Sequence, residues 1–350
     1  MGKTLALLCN DLHISKDNIQ EFLINWEEML SVAKEYSANK IVIGGDIFTS
    51  MSSQTLSVLL AVKRCIQVAT KAGFYLIVAN GNHDKTDKES VEGYCSIYSG
   101  FENYEVVSDF RVLMPDGDSG VLLAVMSYFQ EDGSFINRLE ELKTAIQKGY
   151  GQTLDNTVLY IHEGIHGALG DFDIPGELPQ DIFLPFHSVL CGHYHNRVSI
   201  GKNIHYIGSS RQHNFGEDEM KGYTILMTDG STKFVQNQAN TRYITHDVNI
   251  DEINDKLMDT IANYGHLYKV RMKVRCSDLQ ADNFDKKKLI DAGVSKVELV
   301  TEKMQHIQSA SVDIDEKFDK EGILVEYQNF CNERDIDSEL GIKYLNKIAQ

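Results

Sequence analysis

Apolar residues in this chain gather into short unbroken runs, and each run ends on the same kind of polar residue. TLALLCN closes on Asp11 and His13, and KIVIGG closes on Asp46. FYLIVANG closes on Asn82, His83 and Asp84, NTVLYI on His162, and HSVLCG on His193 and His195. The runs are rich in β-branched residues and have the length of strands, not helices. Between the first three lie IQEFLINWEEMLSVAKEYS and QTLSVLLAVKRCIQVATKAG, which read as helices, the second closing on Gly73 as a helix C-terminus should. Strands alternating with helices predict an α/β fold, in which ligands bind outside the carboxyl ends of the strands. Ligand-bearing residues at successive strand ends are therefore expected to converge on one crevice.

Beyond about residue 243 the pattern changes. VNIDEINDKLMDTIANYG predicts a helix, LYKVRMKVRCS an alternating strand, FDKKKLIDAG a short helix and SKVELVTEK another strand, together a small α+β unit. Within EGILVEYQNFCNERDIDSELGIKYLNKIA, apolar residues at 323, 324, 327 and 330 and at 340, 344, 345 and 348 predict two short amphipathic helices. Three segments are expected: 1–243, carrying the strand-end residues, the appended unit 244–312 and a helical tail 313–350.

Composition narrows the possibilities. The chain has 350 residues, is 42% hydrophobic and contains no apolar stretch near the roughly 18 residues of a membrane span. No basic and apolar leader precedes TLALLCN, so a cytoplasmic location is expected. Six scattered cysteines without CxxC pairing indicate neither a disulfide framework nor a zinc knuckle. A formal net charge of −17 excludes a protein coated by nucleic acid through a broadly basic surface, so any phosphate chemistry must be focused locally.

A single Asp or His after a strand is most often a turn residue or a helix cap. Five such clusters in order call for another explanation. Imidazole, carboxylate and amide oxygen without thiolate suit divalent manganese, iron or zinc, with magnesium as a further alternative. A carboxylate between two ions about 3.5 to 4 Å apart can bridge them, giving a two-metal clamp that activates water and stabilises a displaced oxygen. Two divalent ions held by only Asp11 and Asp46 would leave a site near plus two, attractive to a phosphoryl group.

DLH, GGD, GNHD, HEG and GHYH resemble, in this order, the five motifs of the calcineurin-like metallophosphoesterases, over roughly residues 4 to 230. The resemblance implies a core of packed β-sheets flanked by helices. It also implies one ion held by Asp11, His13, Asp46 and His195 and a second held by Asp46, Asn82, His162 and His193. Asp46 would bridge the two, and His83 would protonate or stabilise the leaving oxygen. GGDIF, GNHD and the segment NIHYIGSSRQHNFGEDEMKGYTIL after GHYH are similar to the SbcD branch of that family, including its phage-encoded members. That branch implies a DNA exonuclease, with endonuclease activity beside it, working in DNA repair, recombination and replication with an SbcC-like coiled-coil ATPase. It further implies an appended region that caps the site and helps admit DNA, a C-terminal tail that docks the ATPase, and a homodimer formed through helices of the catalytic domain. The apolar stripe Phe22, Trp26, Met29 and Leu30 fits such a dimer or an ordinary core.

Two positions depart from the family pattern. Ser15 stands where a glycine is common, and Thr49 stands where relatives carry an Asp or His near the catalytic histidine. The second leaves the orientation of His83 open, with Asp84 as a candidate substitute. A phosphomonoesterase or small-molecule phosphodiesterase on the same fold is the alternative function, favoured by the acidity, and a non-catalytic metal-bearing scaffold is a third.

DNA would need a local positive surface, and YKVRMKVRC is the segment that concentrates cations. Lys269, Arg271, Lys273 and Arg275 alternate with Tyr268, Val270, Met272, Val274 and Cys276, so a strand here turns its charges to one face. That face is either a phosphate-tracking rail or a solvated surface balanced by Glu298 and Glu302.

Overall fold

A computed structural model of the chain describes residues 2–115, 120–149, 153–170, 174–265, 267–301 and 331. Its elements begin with β1 (Thr4–Cys9), α1 (Ile19–Glu35), β2 (Lys40–Gly44), α2 (Leu56–Lys71), β3 (Tyr75–Ala79), β4 (Tyr104–Val107), β5 (Phe110–Leu113) and β6 (Leu122–Met126). There follow α3 (Phe135–Gly149), β7 (Thr157–His162), β8 (Ser188–Gly192), β9 (Val198–Ile200), β10 (Ile204–Tyr206), β11 (Gly222–Met227) and β12 (Thr232–Gln236).

The ligand-bearing runs read as unbroken apolar sequence because both faces of each strand are covered. On β2, Ile41 and Ile43 pack with Phe22, Trp26 and Met29 of α1 and with Val58 and Val62 of α2. Val42 points the other way, into a cluster that includes Val158 and Tyr160 of β7. One six-stranded sheet runs β12-β11-β1-β2-β3-β4, and a second runs β5-β6-β7-β8-β10-β9. Pairing is parallel through β1-β2-β3-β4 in the first and through β6-β7-β8-β10 in the second, with antiparallel strands at the margins. The sheets share the Val42 and Tyr160 core, α1 and α2 cover the outside of the first, and α3 covers the outside of the second. This is a four-layer α/β/β/α arrangement, a mixed α/β core of packed sheets. The dimer-or-core stripe resolves locally: Phe22, Trp26 and Met29 are buried in the core.

The chain divides into two compact units, Met1–Thr245 with Asn263–Arg271, and His246–Ala262 with Met272–Gln350. The division falls inside two strands. The remaining elements are β13 (Arg242–Asn249), a 3-10 turn at Ile250–Glu252, α4 (Asp255–Ala262), β14 (Tyr268–Arg275), α5 (Asp278–Asp282), α6 (Lys287–Asp291) and β15 (Val294–Val300). Strands β13, β14 and β15 form a three-stranded sheet in that order. The helix expected from residue 248 is shorter than the amphipathic run, because two asparagines interrupt it. The Asn249 amide donates to Glu252 at 2.6 Å and closes a single turn, and Asn254 Oδ1 accepts from the Leu257 amide at 3.1 Å to start α4 afresh. Of the tail expected at 313–350, Cys331, helical and buried, is the described residue; the rest lies outside the described residues, as does Glu302. Among the described residues no helix is long and apolar enough to cross a membrane.

Candidate metal centre

The loops after β1, β2, β3, β7 and β8 meet where the carboxyl ends of the two sheets come together. Their backbones are knitted first: the Leu12 and His13 amides donate to Asp46 O at 2.8 and 3.1 Å, and the Asp11 amide donates to Gly45 O at 3.1 Å. Asp84, fully buried, accepts the amides of Asp46 (2.7 Å), Gly81 (2.8 Å) and Phe48 (3.0 Å), so its carboxylate is spent on holding the β2 and β3 loops. Its hydrogen bonds thus go to backbone amides. Asp11, His13, Asp46 and His193 have φ of 53, 45, 54 and 87°, four of the six described non-glycine residues in that region. Left-handed backbone at so many side-chain-bearing positions stores strain, which is characteristic of functional sites. Gly192 has a different role from the tight turn that its place before His193 suggests. A Cβ there would lie 2.8 Å from His162 Nδ1 and 3.0 Å from Asn10 Cγ, so the glycine makes room for neighbouring loops.

All seven expected ligand residues are brought together. Asp11 Oδ1 lies 3.8 Å from His13 Nε2, 3.8 Å from His162 Nε2 and 3.9 Å from His195 Nε2. Asp46 Oδ2 lies 3.7 Å from His13 Nε2 and 3.2 Å from His162 Nε2, while its Oδ1 accepts the His83 amide at 2.9 Å. His13 Nε2 and His195 Nε2 are 3.0 Å apart, and His193 Nδ1 is 3.1 Å from Asn82 Oδ1. Asp11 with His13 and His195, and Asp11 with Asp46 and His162, are the two described groups whose donor atoms could close on an ion. Asp11 thus belongs to both groups, whereas the resemblance implies the shared position for Asp46.

Two observations test whether a metal fits. Asp11 Oδ1 and His162 Nε2 are buried without a hydrogen bond, although buried polar atoms are nearly always satisfied. Two of the imidazoles are also fixed from behind with their far nitrogen facing inward. His162 Nδ1 donates to Gly44 O at 2.9 Å, and His195 Nδ1 donates to Glu217 Oε1 at 2.8 Å. That arrangement is how metal-ligating histidines are oriented. The electrostatics agree with crowding of donors. Burial lowers the pKa of His13 and of His193 to about 3, favouring neutral imidazole. For His162, burial works the same way, but Asp46 and then Asp11 outweigh it and raise the pKa to about 10. The residues fit a divalent cation.

His83 Nδ1 lies 2.6 Å from the backbone carbonyl of Thr49. The ring is thus held by the main chain of position 49. Other contributors left no spacing signal. His213 Nε2 lies 2.9 Å from Asp11 O, and Arg211 donates to Leu12 O at 3.2 Å. Asn10 Nδ2 donates to Asp11 Oδ2 and, at 3.1 Å, to Gly208 O. Arg211, His213 and Glu217 all sit in the segment after GHYH that carries the SbcD resemblance, which by itself singles out none of them.

The chain is 24% identical over 225 residues to the SbcD subunit of the nuclease SbcCD from Staphylococcus saprophyticus, a match covering 57% of this chain and 58% of that protein. It therefore spans a little over half the length of that relative. No family model matches the chain.

Lys269, Arg271 and Arg275 of β14 are engaged with protein groups, and Val270, Met272 and Val274 between the cations are buried. Lys269 lies over the Tyr243 ring, and Arg271 lies over the Phe215 ring and donates to Thr245 Oγ1 and Phe215 O, both at 3.1 Å. Arg275 makes a bidentate pair with Asp247 at 2.7 and 2.8 Å, and Asp247 also feels the charge of Lys273. Asp247 on β13 is thus one balancing acid, and Glu298 also pairs with Lys296 at 2.7 Å.

Proposed function

We propose that the chain is a metal-dependent DNA phosphodiesterase, an exonuclease with endonuclease activity, acting as the nuclease subunit beside an SbcC-like coiled-coil ATPase in the cytoplasm. One observation carries this reading: seven side chains of metal-ligating type, from five strand ends in two sheets, converge on one largely buried cluster in which Asp11 Oδ1 and His162 Nε2 lack a hydrogen bond. The similarity to a nuclease subunit supports DNA as the substrate. Asp11, His13, Asp46 and His195 would hold one divalent ion, manganese first, and Asp46, Asn82, His162 and His193 a second. Two such ions would polarise the phosphoryl oxygens and activate the attacking water.

The remaining chemistry belongs to the protein. With Nδ1–H donating to Thr49 O, the His83 imidazolium would release its Nε2 proton to the leaving oxygen and end as the Nδ1–H neutral tautomer. In this proposal residues 1–243 form the nuclease domain, 244–312 a cap that contacts DNA through Lys269, Arg271, Lys273 and Arg275, and 313–350 the ATPase-docking tail of a homodimeric enzyme. The net charge of −17 and the engagement of the β14 cations favour the second reading, a phosphatase or phosphodiesterase of small molecules. Incubation with manganese and either linear DNA or an aryl phosphate separates the readings. Degradation of DNA supports the nuclease, turnover of the aryl phosphate alone supports the second, and inactivity on both, with the partner ATPase added, contradicts both.

A further inference from the structure

The segment from Gln212 to Glu217 contains no helix or strand, yet it is fixed at both ends. Gln212 exchanges two bonds with the backbone of Tyr243, accepting from its amide at 2.9 Å and donating to its carbonyl at 3.2 Å, and Gln212 Nε2 also donates to Glu217 O at 3.0 Å. The Phe215 ring stands edge-on to Tyr243, 5.0 Å between centroids. Inside the loop, Glu217 Oε2 accepts the His213 amide at 3.1 Å, Oε1 accepts from Asn214 Nδ2 at 3.2 Å, and Lys221 Nζ lies 3.8 Å from Oε2. These contacts aim one carboxylate, only 7% exposed, at His195 Nδ1, 2.8 Å away.

A carboxylate oxygen accepting at this distance requires a proton of His195 on Nδ1. The Nε2 lone pair is then directed to where Nε2 lies 3.0 Å from His13 Nε2 and 3.9 Å from Asp11 Oδ1. His162 has a neutral carbonyl, Gly44 O, in the same role, so the two imidazoles are not equally electron-rich. We infer that Glu217 is a positioning residue for the Asp11, His13 and His195 group, setting the tautomer of His195 and strengthening that group over the other as a metal site. This rests on the metal-centre reading above.

Manganese titration of the full chain by calorimetry tests it, with parent, Glu217→Gln and Glu217→Ala compared. Gln keeps an acceptor for Nδ1–H and loses the charge, whereas Ala loses both. The expected result is two manganese sites in the parent, one of them weakened about 10-fold by Gln and about 100-fold by Ala, with the other site unchanged. Nitrogen-15 spectra of the metal-free histidines should show His195 as the Nδ1–H tautomer in parent and Gln variant, and altered in Ala. Equal affinities in all three proteins, or loss of both sites together with a lowered metal-free melting temperature in both variants, would overturn the inference. A parent that binds no manganese overturns the proposed function itself, and this inference with it.

Discussion

His83 is the residue whose loss should separate chemistry from binding. Its amide is bonded to Asp46 and its ring to Thr49 O, while its side chain takes no ligand position in the proposed centre. His83→Ala should lower turnover by about 10²–10⁴-fold, the usual contribution of general acid catalysis, and leave manganese stoichiometry intact. Loss of an ion in that variant would move His83 among the ligands. Thr49→Ala should leave turnover at the parent level, because the carbonyl that holds His83 is unchanged; a large fall would show that the hydroxyl matters. At this scale the sequence disclosed the groups aimed at the cluster, since Asp11, His13, Asp46, Asn82, His162, His193 and His195 follow apolar runs directly. It hid the residues behind them. Glu217 reaches His195 from 22 positions away through an irregular loop, and no periodicity records such a contact. Asp84 was visible, but its three amide partners belong to the backbone and leave no trace in residue types.

Between elements, one contact joins the two sheets beside the centre. Tyr160 OH of β7 lies 2.8 Å from Cys9 O and 2.7 Å from Asn10 Oδ1 at the end of β1. A Cβ on Gly44 of β2 would come within 2.3 Å of the Tyr160 ring. Tyr160→Phe should destabilise the fold by about 1–3 kcal/mol through the partners left buried, read as a lower denaturant midpoint at constant slope. Gly44→Ala should cost a similar amount, about 1–3 kcal/mol, by overpacking. An unchanged midpoint in both variants would mean that the sheets do not depend on this junction. The strands themselves were legible because their length and β-branched content survive burial on both faces. The partition into two sheets was not read from periodicity: a strand covered on both sides carries no mark of its neighbours, and the packed sheets entered as an implication of family resemblance. Strand β13 escaped because RYITHDVN mixes apolar and polar residues, with every position at least partly accessible.

For the molecule as a whole, acidity and the proposed phosphate substrate have to be reconciled. Replacing Lys269, Arg271, Lys273 and Arg275 with Gln should weaken DNA binding independently of sequence, and should flatten its salt dependence by up to roughly 0.9 log units for each phosphate that is no longer neutralised. An affinity and slope equal to the parent's would leave these side chains as partners of protein groups such as Asp247, Thr245, Phe215 and Tyr243. Bound ions should also stabilise the fold, because the centre crowds two carboxylates with four imidazoles. Manganese at 100 times its dissociation constant should add about 2.7 kcal/mol, reversed by a chelator and read as a shift in melting temperature.

The number of manganese ions bound per chain, counted for the parent and for Asp46→Asn, bears most directly on a two-metal centre spanning two sheets. The account predicts two ions in the parent and loss of at least one in the variant, because Asp46 Oδ2 faces both His13 and His162. A parent that binds none, or a variant that retains both at the parent's affinity, would contradict it.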